Sequence, residues 1–178
     1  MPRRLWAILA VAFGVGLSVL DSAIANVALP TIGQELGISS ADSIWIVNAY
    51  QLAIMVSLLS LSALGDVVGY RKVYIGGLML FTVASVGCAL SSSLAMLVLA
   101  RVMQGFGAAA VTSVNTTLIR IIYPKAQLGR GMGINATVVA VSSVAGPTLA
   151  AAILSAASWP WLFAVNIPVG LTALVLSS

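Results

Sequence analysis

The sequence predicts an all-α membrane protein built as a bundle of six transmembrane helices. Three observations carry that prediction. Hydrophobic residues make up 61% of the 178-residue chain and charged residues 7%, with no histidine, whereas a soluble domain is roughly a quarter charged. The apolar residues fall into runs of about 20, the length a helix needs to cross a ~30 Å hydrocarbon core. The charges sit in or beside the short polar breaks between runs, except for Asp21 and Arg101, which lie inside them.

The runs are read as 5–29, 43–64, 73–90, 94–119, 131–157 and 161–176, forming one unit, residues 1–178. The first follows Arg3-Arg4 and closes at Pro30. A loop carrying Glu35 and Asp42 leads to the second. A break around Gly69 separates the second from the third, a brief one around Ser92 the third from the fourth. Breaks around Pro124 and Trp159 set off the fifth and sixth. Connections this short make sequential spans antiparallel neighbours. Pro30 and Pro168 read as helix-end punctuation, and Pro147 as a kink inside the fifth span, because proline lacks the N–H that closes a helical turn. The start also imitates a cleavable signal, with Ala23-Ile24-Ala25 after an apolar core. The run continues through Pro30, and cleavage would leave an odd number of spans, so retention is expected.

Charge placement orients the bundle. Arg3, Arg4, Arg71, Lys72, Arg120, Lys125 and Arg130 fall on one side of an up-and-down threading, and the first loop of the other side holds only Glu35 and Asp42. By the positive-inside rule the N-terminus is cytoplasmic, in a multi-pass protein of the cell (inner) membrane. Trp6, Tyr70, Tyr74 and Tyr123 near one interface, and Trp45, Trp159 and Trp161 near the other, fit an aromatic belt. The pI near 9.7 does not imply nucleic acid, because the basic residues form no single patch. The lone Cys88 offers neither a disulfide framework nor a metal cluster. No cofactor or metal is expected, and no catalytic residue can be assembled.

A charge near the bilayer centre costs about 2.5–3.5 kcal/mol on insertion scales, so one kept there has a partner or a function. Asp21 lies about 12 Å from the outer end of the first span and Arg101 about 10 Å from that of the fourth, at 1.5 Å per residue. They can therefore meet in the outer half of the membrane. Ala10, Gly14, Ser18, Asp21 and Ala25 share one helical stripe. Arg101, Gly105, Ala108, Thr112 and Asn115 share another. Such small, polar stripes face a bundle interior or a watery cavity. An ion pair that only fixes helix register is the plain alternative. The functional reading is a proton-titrating carboxylate whose affinity for a proton changes when its counter-charge moves.

Four motifs in order, covering nearly the whole chain, resemble the major facilitator superfamily, and within it the proton-driven multidrug antiporters of the fourteen-span branch. They are Leu20 to Pro30, with Asp21; Gly65 to Lys72, with Asp66, Gly69 and Arg71; Leu99 to Gly107, with Arg101; and Gly146-Pro147 in a run of small residues. The segment from Trp159 to Gly170 is similar as well. The resemblance implies the N-terminal six-span half of a transporter that exchanges lipophilic, often cationic compounds for protons. In it Asp21 carries the proton and Arg101 tunes it, Asp66, Gly69 and Arg71 gate, and Gly146 and Pro147 seal against leak. Tyr50, Met103, Phe106 and Asn115 are candidate substrate contacts. The implied partners are the lipid bilayer and a C-terminal helical bundle, or a second copy in its place. Without that partner the charged stripes are expected to face an empty side. The chain departs from the family pattern at Ser62 and Val67 in the gating loop and at Ala150 and Ala151 in the fifth span. A nutrient symporter or uniporter, or an inactive scaffold, are the rival readings.

Overall fold

The computed structural model describes residues 2–177, with side chains from Trp6 onward, so Arg3 and Arg4 lie outside the described side chains. The helices are α1 (Pro2–Glu35), α2 (Ser40–Ser43), α3 (Trp45–Val68), α4 (Tyr70–Ala89), α5 (Leu94–Ile122), α6 (Leu128–Ala156), α7 (Pro160–Ala164) and α8 (Asn166–Ser177), with a single 3-10 turn at Lys125–Gln127. Six segments are long and apolar enough to cross a membrane, with α2 joining α3 and α7 joining α8.

Local chemistry sets the ends. Ser39 caps α2 by accepting the Asp42 N–H at 3.1 Å, and Ser93 caps α5, the usual use of a side-chain oxygen at a helix start. Gly69 separates α3 from α4 with φ +103°, a backbone region where a side chain is strained. Its N–H still closes the last turn of α3 on Gly65 O at 3.0 Å.

Two proline expectations divide. Pro168 sits in the first turns of α8. It can give no hydrogen bond to the carbonyl of Ala164, and the helix is interrupted at Val165. The sixth span is therefore two helices. Pro30, read as a terminator, instead lies inside α1, which continues to Glu35. Tertiary packing overrides the lost bond: Ala28 and Ile32, on either side of Pro30, are fully buried.

Four apolar clusters fill the bundle. One end holds Ile24, Ile32, Ile46, Cys88, Leu97, Trp159 and Phe163. The opposite end holds Val11, Ile119 and Tyr123. This second end is the basic one, since Arg120, Lys125 and Arg130 flank Tyr123 in sequence. Between the ends lie a cluster of Val15, Tyr74, Val111 and Ala173 and another of Leu17, Tyr50, Phe81 and Ala108. The aromatic belt is narrower than expected. Trp6, Trp45 and Trp161 are exposed, but Tyr74, Tyr123 and Trp159 are buried. Tyr74 donates to Ala10 O at 2.6 Å, and Trp159 meets the Phe163 ring edge-on at 6.2 Å. A buried aromatic with a satisfied polar tip is core, not anchor.

Helix α5 is central, packed on both α3 and α4. A Cβ built on Gly107 would stand 2.6 Å from the Phe81 amide nitrogen and 2.8 Å from the Gly77 carbonyl. Those atoms are backbone and cannot rotate away, so α4 and α5 would have to part. Small residues permit such approach where lipid offers no hydrophobic drive. Gly107→Leu is expected to destabilise the bundle by at least about 1–3 kcal/mol, the usual cost of overpacking. Gly76→Leu, at a position where a Cβ meets nothing within 4 Å, is the matched control. Unfolding followed by circular dichroism in detergent should separate them.

Candidate functional site

Asp21 and Arg101 meet. Arg101 Nη1 donates to Asp21 Oδ2 at 2.5 Å, with both side chains enclosed. Rise per residue places Arg101 about 10 Å inside the start of α5, at the end away from the basic loops. Three further elements complete the site. Gln104, one turn along α5, donates to Asp21 Oδ1 at 3.0 Å and to Ser85 Oγ of α4 at 2.9 Å. Its Oε1 accepts from Arg101 Nη1 at 2.7 Å. Asn166, the first residue of α8, donates to Asp21 Oδ1. The interruption at Val165 puts Asn166 at a fresh helix start beside α1.

The carboxylate thus accepts from an arginine and two amides, all buried. This arrangement holds a negative charge away from water. Arg101 is held from other directions as well. Its Nε donates to the Ile46 carbonyl of α3 at 3.2 Å. The Tyr50 ring lies 4.1 Å from its guanidinium carbon and the Phe163 ring 5.6 Å. Tyr50 in turn donates to Ser18 O at 3.3 Å. Two polar atoms in this shell lack partners, Arg101 Nη2 and Asn166 Oδ1. One charge pair therefore joins α1, α3, α4, α5, α7 and α8.

Both small-residue stripes face the bundle interior: Ala10, Gly14, Ser18, Asp21 and Ala25 on α1 are all buried, as are Arg101, Gly105, Ala108 and Asn115 on α5, while Thr112 is half-buried. The expectation that the charges would face an empty side without a second bundle is corrected. The six helices enclose the pair by themselves, at 1% and 0% exposure.

The remaining candidates are dispersed. Asp66, near the end of α3, accepts a hydrogen bond from the Tyr70 hydroxyl. Arg71 donates through Nη2 and Nε to the Ser177 carbonyl at 2.7 and 3.1 Å, tying the start of α4 to the end of α8. Gly69 is the turn between them. Gly146 packs so closely on α1 that an added Cβ would lie 2.4 Å from that of Ala23, while Pro147 beside it is exposed. Tyr50 is closed over Arg101, and Met103 is 47% exposed on another face of α5. Phe106 lines a groove between α3 and α4. Asn115 bridges to Asn135 Oδ1 of α6 at 3.0 Å and keeps an unpartnered buried Oδ1. Gln104, Ser85 and Asn166 were not singled out from sequence. Gln104 and Asn166 stood inside quoted motifs, three residues after Arg101 and two before Pro168.

An up-and-down bundle of six spans with one ion pair sealed in its interior defines a multi-pass membrane protein of the transporter kind. The chain belongs to the Major Facilitator Superfamily, whose family model matches residues 11–178, a family of transporters and not of enzymes. Its architecture is that of the N-terminal half of such a transporter. A crystal structure of a bacterial homologue of the human lysosomal transporter Spinster, inward-facing and unoccupied, superposes with a TM-score of 0.78 over 99% of this chain and 42% of its own, at 20% identity. The chain is 62% identical to the uncharacterized transporter YebQ of Escherichia coli, over 99% of this chain and 39% of that protein. It is 40% identical to the tetracenomycin C resistance and export protein of Streptomyces glaucescens, over 97% and 32%. It is 33% identical to the riboflavin transporter RibZ of Clostridioides difficile, over 99% and 39%. The chain spans about two-fifths or less of the length of these relatives.

Proposed function

We propose that this chain forms the N-terminal half of a proton-coupled exporter of lipophilic, often cationic compounds, in the fourteen-span antiporter branch. It would rock against a second helical bundle, supplied by a longer protein or by a second copy, in alternating access. The observation that carries the reading is the sealed Asp21–Arg101 pair. A proton on Asp21 removes the charge that holds Arg101. Arg101 keeps its bonds to Ile46 O and Gln104, so it stays with α3 and α5, while the seam to α1 weakens. Protonation thereby becomes a change in how α1 packs on α5. The pair's place nearer the end opposite the basic loops suits proton entry from outside, with the N-terminus cytoplasmic. The export named for the Streptomyces relative supports the drug reading, and the RibZ name supports the rival of a vitamin carrier.

In this scheme Asp66, Gly69 and Arg71 gate the basic end, where Arg71 links α4 to α8. Phe106 and Asn115 remain candidate substrate contacts beside the enclosed Tyr50 and the outward Met103. Gly146 holds α6 against α1, and Pro147 sets the bend that prevents leak.

The test is proton movement. A complete transporter carrying this chain, in liposomes with an acid interior, should dissipate the pH gradient when a lipophilic cation is added outside. Substrate flux without proton movement would sink the antiport reading. Pro147→Ala should lower the ratio of coupled flux to substrate leak while leaving protein yield unchanged. Equal ratios in variant and parent would return Pro147 to packing alone.

A further inference from the structure

An apolar groove of about 520 Å³ opens between α3 and α4 at the basic end, separate from the ion-pair site. Leu61, Leu64 and Val68 of α3 form one wall, Val73 and Leu80 of α4 the other, and Phe106 of α5 lines it as well. Ser57 and Ser60 also line it; the Ser57 hydroxyl is turned to the Ala53 carbonyl at 2.5 Å, and Ser60 is an exposed hydroxyl on an otherwise apolar wall. Lys72 stands at the mouth, exposed and with no ion pair to a carboxylate among the described residues.

Length and charge agree on an occupant. From Val68 to Ser57 the groove runs about 16 Å along α3 at 1.5 Å per residue, roughly one leaflet of a ~30 Å hydrocarbon core. The groove is open along one side, and a single hydrocarbon chain of that length can lie in it. The lysine at the mouth lies at headgroup depth, where basic side chains between transmembrane helices attract anionic lipid.

We infer that the α3–α4 groove binds one anionic phospholipid, with an acyl chain along Leu61, Leu64 and Leu80 and its phosphate against the Lys72 ammonium. The bound tail completes the wall between two helices that otherwise touch sparingly. The site reads the negative charge of the lipid through one lysine and the tail through shape alone.

Native mass spectrometry of the chain, released from nanodiscs of mixed phosphatidylglycerol and phosphatidylcholine, tests this. One retained lipid per chain is expected, with about fivefold preference for phosphatidylglycerol, the discrimination a single lysine supplies near a membrane surface. Lys72→Gln should abolish the preference but keep the adduct. Gly76→Phe, which fills the groove from a position with open space around it, should lose the adduct of either lipid. Because Lys72 is exposed, its variant reads charge without disturbing the fold. Equal retention by Gly76→Phe, or a preference that survives Lys72→Gln, would overturn the assignment. So would a groove that takes no lipid and cross-links instead to a helix of a second copy.

Discussion

Asp21→Asn is expected to abolish pH-gradient-driven transport while the protein still inserts and folds. Asparagine keeps the shape of the side chain and cannot exchange a proton. Its oxygen can still accept from Arg101, and its amide then faces the nitrogens of Gln104 and Asn166. Asn166 can turn over to accept, because its Oδ1 has no partner in the parent structure. Gln104 has less freedom, being tied to both Ser85 and Arg101. The arginine loses its counter-charge but keeps the Ile46 carbonyl, Gln104 Oε1 and the Tyr50 ring. A desolvated cation–π contact is worth about 2 kcal/mol, and this one is retained, so the variant loses only the charge interaction with Asp21. Gradient-driven efflux of a lipophilic dye from vesicles, measured with the complete transporter, should fall to the level of protein-free vesicles. Chromatographic behaviour in detergent should stay near that of the parent. Full activity would show that the pair fixes helix register and carries no proton.

That the pair was legible in the sequence follows from cost. Two charges inside apolar runs are rare enough to be noticed, and rise per residue placed both at similar depth. The bundle was legible for the same reason, since runs of bilayer length with charges only at their ends admit few other folds. Neutral polar residues carry no such flag. Asn26, Asn48 and Gln51 stand inside apolar runs just as Gln104 and Asn166 do, and only the three-dimensional packing shows which reach Asp21. Aromatics near a loop were equally ambiguous: Trp161 faces outward and Trp159, two residues away, faces the core. The α7–α8 interruption was readable in principle from the bond Pro168 denies to Ala164. The same rule failed at Pro30, where burial of Ala28 and Ile32 holds the helix together. The loop between α3 and α4 showed Asp66 and Arg71 as neighbours in sequence. The contact of Asp66 with Tyr70 is local, four residues along the chain, but the bond from Arg71 to the distant Ser177 carbonyl depends on where α8 ends.

Arg101→Ala is expected to destabilise the protein more than Asp21→Asn does, and also to stop transport. It leaves a carboxylate in the bundle interior with two neutral amides as donors and no positive charge. Removing one partner of a buried ion pair costs about 3–5 kcal/mol, and a cavity under Tyr50 and Phe163 adds to it. Arg101→Lys should recover only part, because an ammonium cannot donate to Ile46 O, Asp21 and Gln104 in the planar arrangement the guanidinium uses. Stability and function can then be pulled apart. In the double variant Asp21→Asn/Arg101→Met both charges are gone, the acceptor for the neighbouring amides remains, and an apolar chain fills the space beneath Tyr50. Replacing a buried ion pair by groups of similar volume is often neutral, so the unfolding midpoint in detergent should return most of the way to that of the parent. Proton-driven transport should not return with it. A double variant that still exports against a pH gradient would mean that coupling resides elsewhere, and that the network around Asp21 exists to hold the helices in register.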